Sequence, residues 1–327
     1  MQIFKNTNYN FIRWRWHAIS FSLLVIAAGA AAIVQRGGVP LGIDFSGGTI
    51  VIVKFDQPVT EDQVRQAVTA AVPGDSVIQQ YGDPADREVL IRLPQSQTAE
   101  QGGSIGQEAQ LILAALQKAG LPSFEIVSTE IVGPVIGADL QRRGIYATLA
   151  AIAAITIYIA FRFRPSFALG SVVATFHDVF VTLGCLVLFN YELSLNIVAA
   201  MLTMVGYSVN DMIVIFDRVR ENQRARSRGP LDTMINTSLN QTLTRTVITS
   251  GTIFLSVLAL YLFGGEVLEG FAFTMLAGTV ATTYSGWFIA PSIAIMLSKG
   301  VGTGKSRTAA EASATTPPPR KSRRARA

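Results

Sequence analysis

Apolar residues in this chain gather into six long runs, 17–34, 145–161, 167–189, 194–216, 243–263 and 271–297, parted by short polar joints and one long polar stretch. A helix rises about 1.5 Å per residue, so roughly 17 to 25 apolar residues cross a ~30 Å hydrocarbon layer. The pattern predicts six membrane-spanning helices. The first run follows Arg13 and Arg15 and precedes Ala-rich sequence, which is also the outline of a cleaved secretion signal. Its length favours a retained span.

Residues 38–137 keep a different rhythm. The segment 49–55 (Thr-Ile-Val-Ile-Val-Lys-Phe) is β-branched and strand-like. Thr60, followed by Glu61 and Asp62, opens an amphipathic helix with a cap and an acidic first turn. Two short strands, 76–80 and 88–93, flank the turn Gly82-Asp-Pro84; a second helix, 106–119, ends at Gly120; a last strand covers 124–129. The order β-α-β-β-α-β is that of a ferredoxin-like split sandwich, and about 90 residues suffice for one modest core. The fold class expected is a six-helix bundle with a ferredoxin-like α+β domain between its first two spans.

Composition and charge then orient the chain. Half of the residues are hydrophobic and only 15% are charged, well below the roughly one quarter usual for soluble domains. The net charge of +5 sits in blocks rather than on a domain face, which argues against nucleic-acid binding. Basic residues mark the N-terminal segment 1–16 (Lys5, Arg13, Arg15), the joint at Arg162 and Arg164, the loop 217–242 (Arg218, Arg220, Arg224, Arg226, Arg228) and the tail 298–327. The joints 190–193 and 264–270 carry acids and no base. By the positive-inside rule both termini and the 217–242 loop are cytoplasmic, and the 38–137 domain lies outside. The tail, rich in Ala, Ser, Thr, Pro and Arg without periodicity, reads as disordered. A lone cysteine, Cys185 in an apolar run, allows neither a disulfide framework nor a metal cluster.

The chemistry lies in the few charges inside the spans: Asp178 in the third, Asp211 in the fourth and Arg245 in the fifth. A charge at mid-bilayer costs at least about 2.5 kcal/mol, so such residues usually face a bundle interior and do something there. Helix rise places Asp211 roughly 10 Å and Arg245 roughly 6–8 Å from the cytoplasmic end, so the two can meet at one level. Arginine stays protonated and cannot carry a proton; a carboxylate can, if its cation partner comes and goes. The alternative is a structural ion pair pinning two helices. His177 beside Asp178 allows either a proton relay or a packed polar contact. The stripe Gly278, Thr282, Gly286, Ala290 in the sixth run is spaced for close helix packing. Two intramembrane aspartates also raise the aspartyl protease, but Gly-x-Gly-Asp is absent and an arginine level with Asp211 opposes proton sharing. No enzyme activity is expected.

Several stretches resemble the SecD/SecF family of the resistance-nodulation-division superfamily. Gly42-Ile-Asp-Phe-Ser-Gly-Gly-Thr49 is similar to the signature opening the family's periplasmic domain, carried here by Gly42, Asp44, Gly47 and Gly48. The segments 206–221 and 242–251 resemble the fourth- and fifth-span motifs of the SecF branch; Val132-Gly-Pro134 and His177-Asp-Val179 also fit. The resemblance implies a bacterial inner-membrane subunit that pairs with SecD and associates with the SecYEG channel and, through YajC, with YidC. It would promote late translocation of exported unfolded protein at the expense of the proton gradient. It maps the family's intramembrane acid and base onto Asp211, as proton acceptor, and Arg245, as switching counter-ion, with Asn210 beside the acid. By periodicity Thr246 and Thr249 are candidates for a polar lining. Protons are the coupling ion, and no cofactor or metal is expected. No second copy of the six-span pattern occurs here, so a pseudo-symmetric transporter needs a partner. The rival within the superfamily, half of a small-molecule or lipid exporter, finds little room for a substrate pocket in so small an extracytoplasmic domain.

Overall fold

The computed structural model describes residues 7–71, 76–82, 85–94, 107–225 and 230–314. Lys5, the Asp-Pro of the predicted turn, Arg226, Arg228 and the tail beyond residue 314 lie outside these residues.

A short 3-10 turn, Ile12–Trp14, leads into α1 (Arg15–Gln35) and the one-turn α2 (Ile43–Ser46). The α/β domain follows as β1 (Gly48–Phe55), α3 (Glu61–Ala71), β2 (Val77–Tyr81), β3 (Glu88–Pro94), α4 (Gln107–Lys118) and β4 (Phe124–Val132). The described residues that follow are mostly helical: α5 (Pro134–Arg162), α6 (Pro165–Leu188), α7 (Leu195–Arg224), α8 (Leu231–Phe263) and α9 (Glu266–Ala314). Six helices are long and apolar enough to span a membrane.

The sheet is antiparallel in the order β2-β3-β1-β4, the split β-α-β arrangement expected from the strand and helix order. Alternation on β1 sends Val51, Val53 and Phe55 to one face. There they meet Val64 and Val68 of α3, Ile112 and Leu116 of α4, and Ile91 of β3. The opposite face carries no helix of its own domain among the described residues.

Several boundaries differ from the hydropathy reading, for one reason: hydropathy marks where lipid ends, not where a helix ends. α5 begins at Pro134 rather than 145, because Gly133 takes an extended N-cap conformation and Pro134 suits the first helical position. The 217–242 loop is mostly helix, since α7 continues to Arg224 and α8 starts at Leu231. α9 likewise runs to Ala314, into the tail expected to be irregular, where Thr308-Ala-Ala-Glu-Ala-Ser-Ala supplies strong helix formers.

In the bundle, α9 packs on α6, α7 and α8, and α1 lies on α6. Glycines set the closest approaches. A Cβ at Gly278 would sit 2.5 Å from Met204 of α7, and one at Gly170 would sit 2.7 Å from the Ala290 carbonyl. The sixth-run stripe is therefore a packing device, as its spacing predicts. α1 and α6 cross at Gly29 and Gly184, where an added Cβ on Gly29 would lie 2.7 Å from the Gly184 Cα. At the arginine-rich end, Asn236 and Asn240 of α8 hold the backbone of Tyr9 and Phe11 through paired amide hydrogen bonds.

Candidate functional site

Asp178 sits at the centre of the bundle, fully buried on α6. Its Oδ2 accepts from Ser208 Oγ of α7 at 2.7 Å, and its Oδ1 lies 3.0 Å from His177 Nδ1. His177 Nε2 lies 2.9 Å from Ser22 Oγ of α1, and the ring stacks on Tyr284 of α9. A proton on Nδ1 satisfies both imidazole contacts, with Nε2 accepting from the serine hydroxyl. One carboxylate thus ties α1, α6 and α7 together, with Ser285 of α9 as a further neighbour. Every polar atom in this group has a partner.

Asp211, on α7, is differently placed. The acid is buried, and its Oδ1 accepts from Thr246 Oγ1 of α8 at 3.2 Å. Its Oδ2 is buried without a hydrogen-bond partner and faces Gly286 of α9, where an added Cβ would sit 3.7 Å away. The direct Asp211–Arg245 pairing anticipated from depth is not formed, and the two are not sequestered together. Arg245 is exposed and its side chain makes no ion pair or hydrogen bond among the described residues; its charge reaches Asp211 only through space. The cause is helical phase. Successive residues point about 100° apart at 3.6 residues per turn, so when Thr246 turns inward its neighbour turns out. Depth aligned the two residues; phase separated them.

The other sequence-predicted polar residues divide between two faces. Asn210 and Thr249 are exposed, and Thr249 bonds back to the carbonyls of Arg245 and Thr246 at 2.9 and 3.1 Å. With Gly206, Gly251 and Thr252 they form a polar, small-residue surface on α7 and α8, and nothing stands within 4 Å of a Cβ built on either glycine. One turn along α8 from Thr246, Ser250 meets Tyr207 Oη of α7 at 2.7 Å and Thr283 Oγ1 of α9 at 3.0 Å. Sequence reasoning passed over Ser22, Ser208, Ser250 and Tyr207. Their only signal was a hydroxyl inside an apolar run, and such hydroxyls often bond to their own helix.

The Gly42 signature lies at the far end of the bundle and has a mechanical role in the fold. Gly47 and Gly48 adopt φ of 73° and 138°, conformations that a side chain would strain, and they turn the chain from α2 into β1. Gly42 N donates to Leu193 O at 2.8 Å, and Leu193 N donates to Pro40 O at 2.7 Å. Asp44 Oδ2 accepts from the Leu195 N–H at 2.8 Å. It thereby caps α7, the helix that carries Asp211, from outside that helix. Ser194 Oγ completes the cap by accepting from Ile197 N at 3.3 Å. On β3, Arg92 pairs with Glu192 and donates to Leu41 O at 3.0 Å. Tyr191 fastens the same loop to α9 through Glu269 Oε1 at 2.5 Å and stacks on Phe273. Burial and the neighbouring carboxylate push the Tyr191 phenol well above its ordinary range, so it remains a donor.

No group of three or more potential metal ligands occurs among the described residues. Two family profiles match the chain: the C-terminal region of the protein export membrane proteins SecD/SecF over residues 112–300, and the SecD/SecF GG motif over residues 33–59. A protein translocase subunit SecF from Magnetococcus marinus is 41% identical over 318 residues, covering 97% of this chain and all of that one. The SecF of Escherichia coli O157:H7 is 39% identical and covers 88% of each. A crystal structure of SecDF from Thermus, a translocon-associated membrane protein, superposes with a TM-score of 0.78 at 34% identity. It covers 90% of this chain, which spans 39% of the SecDF chain. A SecDF structure in a super-membrane-facing form gives a TM-score of 0.68 at the same identity. The chain belongs to the SecD/SecF family of protein export membrane proteins, in the SecF branch.

Proposed function

We propose that this chain is the SecF half of a proton-driven export device in the bacterial inner membrane, with both termini cytoplasmic and the α/β domain periplasmic. The observation that carries the reading is Asp211: a membrane-buried carboxylate with one oxygen held and the other without a partner. A buried, unsatisfied polar atom is costly, so an acid in this state stands ready to take a proton or a cation. Arg245 lies one residue from the threonine that holds Asp211, on the same helix, and a turn of α8 about its axis together with reach of the long arginine side chain trades one contact for the other. Each proton that crosses releases about 2.3 kcal/mol per 100 mV, enough to bias such a two-position arrangement.

The open surface of Gly206, Asn210, Arg245, Thr249 and Thr252 supports the partner. A guanidinium and an amide cannot rest against lipid cheaply, so a second six-span half, SecD, covers them. SecYEG, and YidC through YajC, stand beside the pair, and exported unfolded protein emerges toward the periplasmic domains. The Asp44 cap and the clasp of Pro40 and Gly42 on Leu193 supply the transmission. A shift of α7 during protonation moves the loop that the α/β domain grips, so that domain swings while the exported chain is held outside.

The test is gradient-driven export in proteoliposomes bearing the chain with its partner. Asp211→Asn is expected to copurify normally with SecD and to export at the rate seen without a gradient. Gradient-stimulated export by that variant would remove the proton role. Arg245→Lys keeps the charge but loses the planar fork, and is expected to couple only weakly.

A further inference from the structure

At the arginine-rich end of the bundle, where α5, α6 and α7 meet, four arginines border a single cavity of about 410 Å³. Arg162 and Arg164 come from the α5–α6 joint, Arg220 and Arg224 from α7, and Phe167 and Phe216 form the floor. Among the described residues no acid lines it. Arg162 is committed: its Nη2 donates to both oxygens of Asp217 at 2.7 and 2.8 Å, and its guanidinium lies over the Phe163 ring. The other three make no ion pair among the described residues. The nearest acid in sequence, Glu221, is taken by Arg218 at 2.5 Å. Arg220 and Arg224 stand one turn apart and present their charges together. Arg164, Arg220 and Arg224 are exposed, and three like charges around one cavity raise the local potential for an anion.

The depth of the cavity identifies the anion. α6 starts at Pro165 and has 24 residues. It is therefore about 36 Å long, more than a ~30 Å hydrocarbon layer, and its first turn lies at headgroup level. Phe161, at the rim, is 91% exposed, so an apolar ring stands beside the arginines. A phosphate among the arginines and an acyl chain over the aromatic rim would use both halves of the surface. Arginine suits phosphate because its planar fork donates two hydrogen bonds at once. We propose that this cavity is a binding site for the phosphate headgroup of an anionic phospholipid.

The experiment is native mass spectrometry of the full chain in a neutral detergent, alone and with its SecD partner. Phosphatidylglycerol or cardiolipin is titrated against phosphatidylcholine. The wild type is expected to retain one anionic lipid and no phosphatidylcholine. The triple variant Arg164→Gln, Arg220→Gln, Arg224→Gln is expected to weaken binding on the order of a hundredfold, at about 1 kcal/mol per interfacial charge. The remote pair Arg142→Gln, Arg143→Gln is expected to leave it unchanged. Single Arg220→Gln and Arg224→Gln exchanges, each weakening binding several-fold, keep the test decisive if the triple variant fails to fold. Equal retention of phosphatidylcholine, loss in the remote variant, or no loss in the pocket variants would overturn the proposal. Displacement of the lipid by millimolar inorganic phosphate would show a site for soluble phosphate instead. Loss of the lipid on adding SecD would show a protein contact.

Discussion

Two aspartates lie inside the same bundle, and their surroundings are opposites. Asp178 has a partner for each oxygen and joins α1, α6 and α7 in one closed network. Asp211 has one oxygen on Thr246 and the other on nothing. A satisfied buried network rigidifies, whereas a half-satisfied one is costly and is kept where the cost serves a change of state. The contacts of Asp178 hold three helices together, while the open oxygen of Asp211 is what the proposed coupling uses. The charges near them follow the same division. His177 is enclosed with its acid, while Arg245 faces an open surface away from its own.

The strongest way to break this contrast is to exchange each acid for its amide. Asp211→Asn is expected to abolish gradient-stimulated export while leaving the unfolding midpoint in detergent unchanged; Asp178→Asn should keep most of that export. If the two export results came out reversed, the division of labour would be wrong. The next effect is on stability. Asp178→Leu strands His177 and Ser208, and unfolding in denaturant should show a loss of roughly 2–3 kcal/mol, against little change for Asp211→Leu. A smaller effect belongs to the cap. Asp44→Ala removes the external cap of α7, costs about 1 kcal/mol, and should uncouple the domain. Spin-label distances between the α/β domain and α7 should then stop responding to Asp211→Asn, while Asp44→Asn restores the response. The smallest is Thr246→Val. It deletes one interhelical hydrogen bond, worth about 0.6 kcal/mol in a membrane, yet should alter the pH profile of export because it frees the second oxygen of Asp211. An unaltered profile would remove Thr246 from the site.

Much of this architecture is legible in one dimension. Lipid demands long apolar runs whatever the tertiary structure, so the six spans stand out. The strand and helix order of the small domain follows from β-branched alternation and from caps such as Thr60, whose hydroxyl and backbone both engage Gln63. The helix ends between α7 and α8 were hidden because the charged residues there end the hydrophobic run without breaking the helix. The intramembrane acids stand out by composition alone. Their partners do not, since about 100° of helical phase decides between Arg245 and Thr246.

From composition and spacing follow six membrane-spanning helices, a small split α/β domain after the first of them, and two acids and one base within the apolar runs. Those features depend only on local propensity and on the cost of burying charge. Tertiary structure alone decided which acid is satisfied and which is left open. It also decided that the Gly42 signature caps a helix some 150 positions away (residue separation 151), and that four arginines from two separate segments border one cavity. Contacts of that kind depend on helix rotation and on which elements pack together, and neither is written in the spacing along the chain.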